Sequence, residues 1–146
     1  MTDPLQLCTF QLDNHLFGVD VQAVQEVIRY QEMTCVPLAP PAVSGLINLR
    51  GQIVTAIDLR QRLGLSNRPA DRLPMNVVVR SDDGAVSLLV DQIGDVIDVD
   101  PGKMEVPPNT LHGPARELIH CAYKLDRQLL LVLDTEKAVN LVSSAN

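Results

Sequence analysis

Along most of this chain apolar residues alternate with polar ones or form short unbroken runs, and helical spacing is scarce. Leu5–Leu12 and Leu16–Val21 read as strands about an Asp13-Asn14 turn, and Val24–Tyr30 as a third strand entered through a helical turn. Pro37, Pro40 and Pro41 then force a loop. Gly45–Leu49 and Gln52–Ile57 form a hairpin joined at Arg50-Gly51, where the glycine supplies the positive φ of a tight turn. Asp58 is the expected N-cap of a very short helix, with Gln61 completing a capping box, Leu59 and Leu63 one turn apart, and Gly64 ending it.

Residues 66–74 are polar and contain proline, which predicts a connector. Met75–Arg80 and Ala85–Val90 flank Ser81-Asp82-Asp83-Gly84, a hairpin signal. Asp95–Asp100 is a further strand, and Pro101–Pro114 a long loop with four prolines. Ile119–Leu125 and Gln128–Leu133 predict a last hairpin, after which Asp134 caps a helix over Thr135–Val142. A faint repeat runs through this order. The stretch from Gly51 aligns without gaps on the stretch from Arg127, so that Gln52, Asp58 and Leu65 meet Gln128, Asp134 and Leu141. "QEVI" at Gln25 echoes "GDVI" at Gly94. The expectation is two related halves, each a small sheet, in one domain.

Composition narrows the class. At 146 residues, with 46% hydrophobic and 21% charged residues, the chain suits one domain able to bury a core without metal or disulfide. The apolar share is rich in Val, Leu and Ile but holds only two Phe, two Tyr and no Trp, which favours packed strands. A net charge of −6 without a basic run argues against nucleic acid or an anionic membrane as partner. Met1-Thr2-Asp3-Pro4 has no basic region and no long apolar core follows, so no signal peptide is expected, and no uninterrupted apolar stretch approaches membrane-spanning length. Cys8, Cys35 and Cys121 lack paired spacing and sit among apolar neighbours, as small buried hydrophobes in a reducing compartment would.

Little in the chain points to catalysis. His15, His112 and His120 share no metal-ligand spacing, and His120 and Cys121, neighbours on one strand, face opposite ways and cannot pair as base and nucleophile. Asp91, Asp95, Asp98 and Asp100 lack the ligand pattern of a calcium loop and read as a solvated strand edge; an enzyme using them with a metal is the outlying alternative. No phosphate-binding glycine motif occurs. One cation stands out. Arg50 falls at the tip of an apolar hairpin that acts as a stiff stalk and presents its guanidinium at a defined place.

The stretch that carries it, "GLINLRGQIVTAIDLRQRLGL" (residues 45–65), resembles the signature of the CheW family, the bacterial chemotaxis coupling proteins. Phe17–Tyr30, Ser87–Val99 and the closing "LLLVLDTEKAVNLV" resemble the family's flanking segments, so the resemblance covers residues 5–142 and leaves 1–4 and 143–146 as tails. Thr55-Ala56 departs from it, since many relatives carry a proline there. The resemblance implies an all-β fold of two intertwined five-stranded SH3-like barrels sharing one core. It implies no catalysis and no cofactor. It implies a cytoplasmic adaptor, recruited to membrane receptor arrays, that joins the cytoplasmic tips of chemoreceptors to the regulatory domain of the histidine kinase CheA. Carried over by motif, Gly45, Asn48 and Arg50 lie near the receptor groove, Val24, Glu26 and Val27 match an upstream partner-binding segment, and Ile93 and Val96 are its counterpart in the second half. An adaptor of a non-flagellar array and an isolated kinase regulatory domain are the competing readings; a chain starting at Met1 without a linker or ATP-binding segment favours the adaptor.

Overall fold

The structure, a computed structural model, describes residues 5–82, 84–111 and 113–140. The predicted His112 and the two tails lie outside them, as do Asp83 and the last two residues of the closing helix. The described residues form β1 (Leu5–Leu12), β2 (His15–Asp20), β3 (Val24–Ile28), β4 (Val43–Leu49), β5 (Gln52–Asp58), α1 (Leu59–Arg62), β6 (Met75–Ser81), β7 (Gly84–Val90), β8 (Gln92–Val99), α2 (Gly113–Leu118), β9 (Ile119–Lys124), β10 (Leu129–Leu133) and α3 (Thr135–Val139). The expected helical turn before β3 is a 3-10 turn over Val21–Ala23.

The strands make two five-stranded sheets, ordered β8-β1-β2-β10-β9 and β3-β6-β7-β5-β4. Each contains one parallel pair, β2 with β10 and β5 with β7. The two sheets are the same sheet built twice, with β8, β1, β2, β10 and β9 standing where β3, β6, β7, β5 and β4 stand. This bears out the sequence repeat and corrects how it is deployed. Neither half is a sheet of its own. The first half lends β1 and β2 to one sheet and β3–β5 to the other, and the second half lends β6 and β7 to the second sheet and β8–β10 to the first. The halves are therefore intertwined by reciprocal exchange. Each sheet is drawn toward a barrel by an isolated bridge, Thr34↔Leu46 in one and Glu105↔Ala122 in the other.

This exchange explains the unbroken apolar runs. The largest core cluster takes Phe10, Phe17 and Leu131 from one sheet and Ile57, Val77 and Leu88 from the other. A second cluster fills the first barrel with Leu7, Tyr123, Leu130 and Val132, and a third fills the other with Ile47, Val54, Ala56 and Leu89. In β10, Leu130 and Val132 face the barrel interior while Leu131 and Leu133 face the shared core, so both faces of the strand are buried. Phe10 and Phe17 oppose each other across β1 and β2 and stack at 6.1 Å between centroids.

Local expectations mostly hold, with four corrections. Asp58 caps α1 by accepting from Arg60 N at 3.0 Å, but Gln61 does not close a capping box. Its amide donates to Asn67 at 2.8 Å, because the Asp58 N–H is already taken by the Ala42 carbonyl. The Pro101–Pro114 segment is broken by a 3-10 turn over Pro101–Lys103, by the bridge at Glu105 and by the start of α2, where Pro114 is tolerated in the first turn. Cys8 and Cys121 are buried, and burial raises both thiols, but Cys35 is exposed in the loop after β3.

The fourth correction concerns Asp91, which is no solvated edge residue. It sits between β7 and β8 with its side chain 10% exposed, against an Arg60 side chain 5% exposed. Arg60 Nε donates to Asp91 Oδ1 at 2.9 Å and Nη2 donates to Oδ2. Arg68 Nε donates to Oδ1 at 2.9 Å, and the Asp13 N–H to Oδ2 at 2.9 Å. Arg60 also donates to the Ser66 and Asn67 carbonyls, and Arg68 reaches Asp58 at 3.4 Å. Burial alone would raise the Asp91 carboxyl; the hydrogen bonds from Arg60, Asp13 N and Arg68 outweigh it and bring the pKa down from 3.8 to about 2.

Two predictions follow from this packing. The depressed carboxyl contributes about 2 kcal/mol of stability above about pH 4, and this is lost as the pH falls through about 2. Asp91→Ala strips the buried Arg60 of its counter-ion and should cost about 3–5 kcal/mol at neutral pH. Urea midpoints at pH 7 and pH 2.5 should show the variant much less stable than wild type at the first and the gap narrowed at the second. Second, a fragment of residues 1–70 leaves β1–β2 and β3–β5 each without the strands that complete their sheets, so its amide NMR spectrum should be collapsed.

Candidate functional site

The edge strands β3 and β8 occupy equivalent places and carry equivalent irregularities. In β3 the register shifts between Val24 and Glu26, leaving Gln25 as the extra residue. In β8 two residues, Gly94 and Asp95, fall opposite Thr9 between the Cys8 and Phe10 pairs. A bulge bends an edge strand and re-aims the side chains beyond it. Just beyond each one stands an exposed valine, Val27 at 43% and Val96 at 52%, each opposite a buried residue of the shared core, Val77 and Cys8. Val24 and Ile93, before the bulges, are half-buried and pack against the shared core. Among the valines and isoleucine carried over by motif, then, two are surface residues and two belong mainly to the core.

The β4–β5 hairpin places the other candidates. Arg50 and Gly51 both have positive φ, +52° and +86°, so the expectation that glycine alone would supply it is incomplete. The Gly51 N–H donates to Asn48 Oδ1 at 2.9 Å, which fixes the turn from its own strand. Across the hairpin Asn48 pairs with Ile53, both outward, while Ile47 pairs with Val54, both buried. Ile53, at 61% exposure, was not among the sequence candidates; its outward register opposite Asn48 was the available signal. Gly45 is buried, and a Cβ there would lie 2.7 Å from the Thr34 carbonyl oxygen. It lets the chain segment after β3 close onto β4, and it offers no side chain to a partner.

The arginine does not project freely from the stalk. Its guanidinium turns back onto Glu26 of β3, with Nη1 donating to Oε2 at 2.8 Å and Nη2 to Oε1 at 2.7 Å. The pair joins the two edges of one sheet, which therefore curves enough to bring them within the reach of one side chain. Glu26 is 17% exposed under this lid and Arg50 77% exposed above it. In the other sheet the equivalent hairpin tip is Asp126-Arg127 and the equivalent of Glu26 is Asp95, both acids exposed. Among the described residues no such pair joins Asp126-Arg127 to Asp95.

No nucleophile or metal centre is assembled around these residues. His120 is exposed and Cys121 buried, on opposite faces of β9 as predicted. Among the described residues no group of three or more His, Cys, Asp or Glu is placed to hold a metal. No helix of the described residues is long and apolar enough to cross a membrane.

Two five-stranded sheets that exchange strands, each with a bulged edge strand and an exposed valine, define a double β-barrel domain. The chain belongs to the CheW family: a family model described as the CheW-like domain matches residues 6–143. It is 32% identical over 139 residues to the chemotaxis protein CheW of Treponema pallidum, covering 92% of this chain and 82% of that protein. It is 27% identical over 139 residues to the chemotaxis protein CheW of Bacillus subtilis, covering 95% and 89%. The fold matches the crystal structure of the scaffolding protein TtCheW from Thermoanaerobacter tengcongensis with a TM-score of 0.85 at 27% identity, over 96% of this chain and 95% of that one.

The close approach at Gly45 is directly testable. Gly45→Ala should lower the melting temperature by several degrees, because the obstacle is a backbone carbonyl that cannot rotate away. Glu26→Gln should change stability by less than about 1 kcal/mol, since one partner of its ion pair is largely in solvent.

Proposed function

We propose that this protein is a non-catalytic chemotaxis adaptor that couples the cytoplasmic tips of chemoreceptors to the regulatory domain of the histidine kinase CheA. In this reading it works in the cytoplasm, recruited to membrane receptor arrays, and residues 5–142 act as one domain between short tails. Membership of the CheW family supports the reading, and so do the CheW relatives named above. The structural observation that carries it is the pair of exposed valines at equivalent places on two edge strands. A partner can bury such a valine and pair with the strand edge beside it.

Val24, Glu26, Val27, Gly45, Asn48, Arg50, Ile93 and Val96 are assigned to partner binding in graded roles. Val27 and Val96 contribute apolar contact, Asn48 and Arg50 polar contact, and Ile53 joins them on the hairpin's outer face. Val24, Ile93 and Gly45 act from beneath by holding the strands. An acidic group of a partner would approach a guanidinium already held by Glu26, so it gains a preorganised donor and competes with an internal carboxylate.

Titration calorimetry against a receptor-tip bundle and, separately, a kinase regulatory domain tests this. Val96→Asp should weaken one of the two by on the order of 2 kcal/mol without unfolding the protein. Arg50→Glu should weaken binding more than Arg50→Ala, because it adds repulsion both from Glu26 and from an acidic partner. The exchanged pair Glu26→Arg with Arg50→Glu separates two roles. Restored affinity would mean that the clamp acts by shaping the hairpin, and affinity still lost would mean that the partner touches Arg50 itself. Full affinity of every variant for both partners would overturn the assignment of this surface.

A further inference from the structure

A cleft of about 470 Å³ opens between α2, the start of β9 and α3, with Arg62 of α1 reaching in from the first half of the chain. Leu118 and Ile119, both buried, contribute its apolar lining. The rest of the lining is polar or charged, with Glu117 and Asp134 as its two acids. Asp134 Oδ1 accepts from Lys137 N at 3.2 Å as the cap of α3. Burial lowers the Arg62 guanidinium's pKa, and the charge of Glu117 opposes the effect. Arg62 itself donates to the carbonyls of Lys137, Ala138 and Asn140 at 2.8, 3.1 and 3.2 Å.

Three cations, Arg62, Arg116 and Lys137, face these two acids. Arg116 and Lys137 both line the cleft and are both exposed, and neither forms an ion pair among the described residues. The exposed imidazole of His120 lines it too. In a chain of 18 acids and 12 bases this concavity inverts the prevailing charge. We propose that it binds a small phosphate-bearing ligand, with Arg116 and Lys137 taking the phosphate oxygens and His120 adding a donor. Phosphate fits better than a single carboxylate, because one centre bears close to two charges and three acceptor oxygens. The arginine fork can take two of those oxygens and the ammonium a third. The volume lies in the range of small-ligand pockets, about 300–1,000 Å³.

The cleft lies away from the Arg50 hairpin tip: β5 spans seven residues between that tip and α1, about 20 Å of chain.

The test is an amide NMR titration of the full chain with pyrophosphate, at ionic strength held constant with sodium chloride, and with citrate as a carboxylate comparator. Saturable shifts confined to Arg116, residues 118–120 and Lys137 are expected, with the Arg50 and Glu26 amides unmoved. Arg116→Ala with Lys137→Ala should weaken pyrophosphate by at least about tenfold, and a native-like spectrum of the double variant verifies that its fold is intact. Non-saturating shifts, equal affinity for citrate, or unchanged affinity in the folded double variant would each overturn the proposal.

Discussion

The carboxylate of Asp91 is where the duplicated fold is locked. It accepts from the Asp13 N–H in the β1–β2 turn, from Arg60 in α1 and from Arg68 in the connector, and so ties three segments that are distant in sequence. Arg60 then holds the connector through the Ser66 and Asn67 carbonyls. Among the described residues no buried side-chain nitrogen or oxygen lacks a hydrogen-bond partner, so these buried charges are compensated rather than stranded. The arrangement matters because the two halves exchange strands. The β7–β8 junction beside Asp91 is one of the two places, with β2–β3, where the chain crosses from one sheet to the other.

Duplication followed by divergence accounts for the asymmetry of the surface. Topology, bulges, barrel-closing bridges and the strand-to-helix turns capped by Asp58 and Asp134 recur in both halves. The hairpin tips do not. One carries Arg50 clamped to Glu26; the other carries Asp126 and Arg127, with Asp95 exposed where Glu26 would be. Two surfaces of one shape thus differ in charge, and like charges across an interface penalise a wrong docking.

Arg50 holds a left-handed backbone conformation that arginine does not favour, at a cost on the order of 1 kcal/mol. A glycine or asparagine would sit there more easily, but neither could reach Glu26. The two charge-assisted bonds that offset the strain also set the direction of the guanidinium and bring the sheet's edges together.

The chain by itself determined its strands, its hairpin turns, its helix caps and its internal repeat, because each rests on neighbours within a few residues. The Asp13-Asn14 turn, the Asp58 cap and the opposed faces of His120 and Cys121 are of this kind. The stretch around Arg50 also carried the family. Tertiary structure alone decided the rest. Alternation cannot say which sheet a strand joins, so the periodicity gave two halves with a sheet each, and only the family resemblance implied the intertwined barrels that the structure shows. A strand buried on both faces reads the same whether its neighbours come from its own half or the other. Asp91 reads as one more acid beside Asp95 and Asp98 until folding sets Arg60 and Arg68 against it across more than twenty residues. Arg50 reads as a free tip until the sheet curves far enough to bring Glu26 beneath it. Val27 and Val96 share a sheet face with Val24 and Ile93, because the bulges shift the register, yet only the tertiary packing decides that the first two stay exposed while the other two are covered by the shared core.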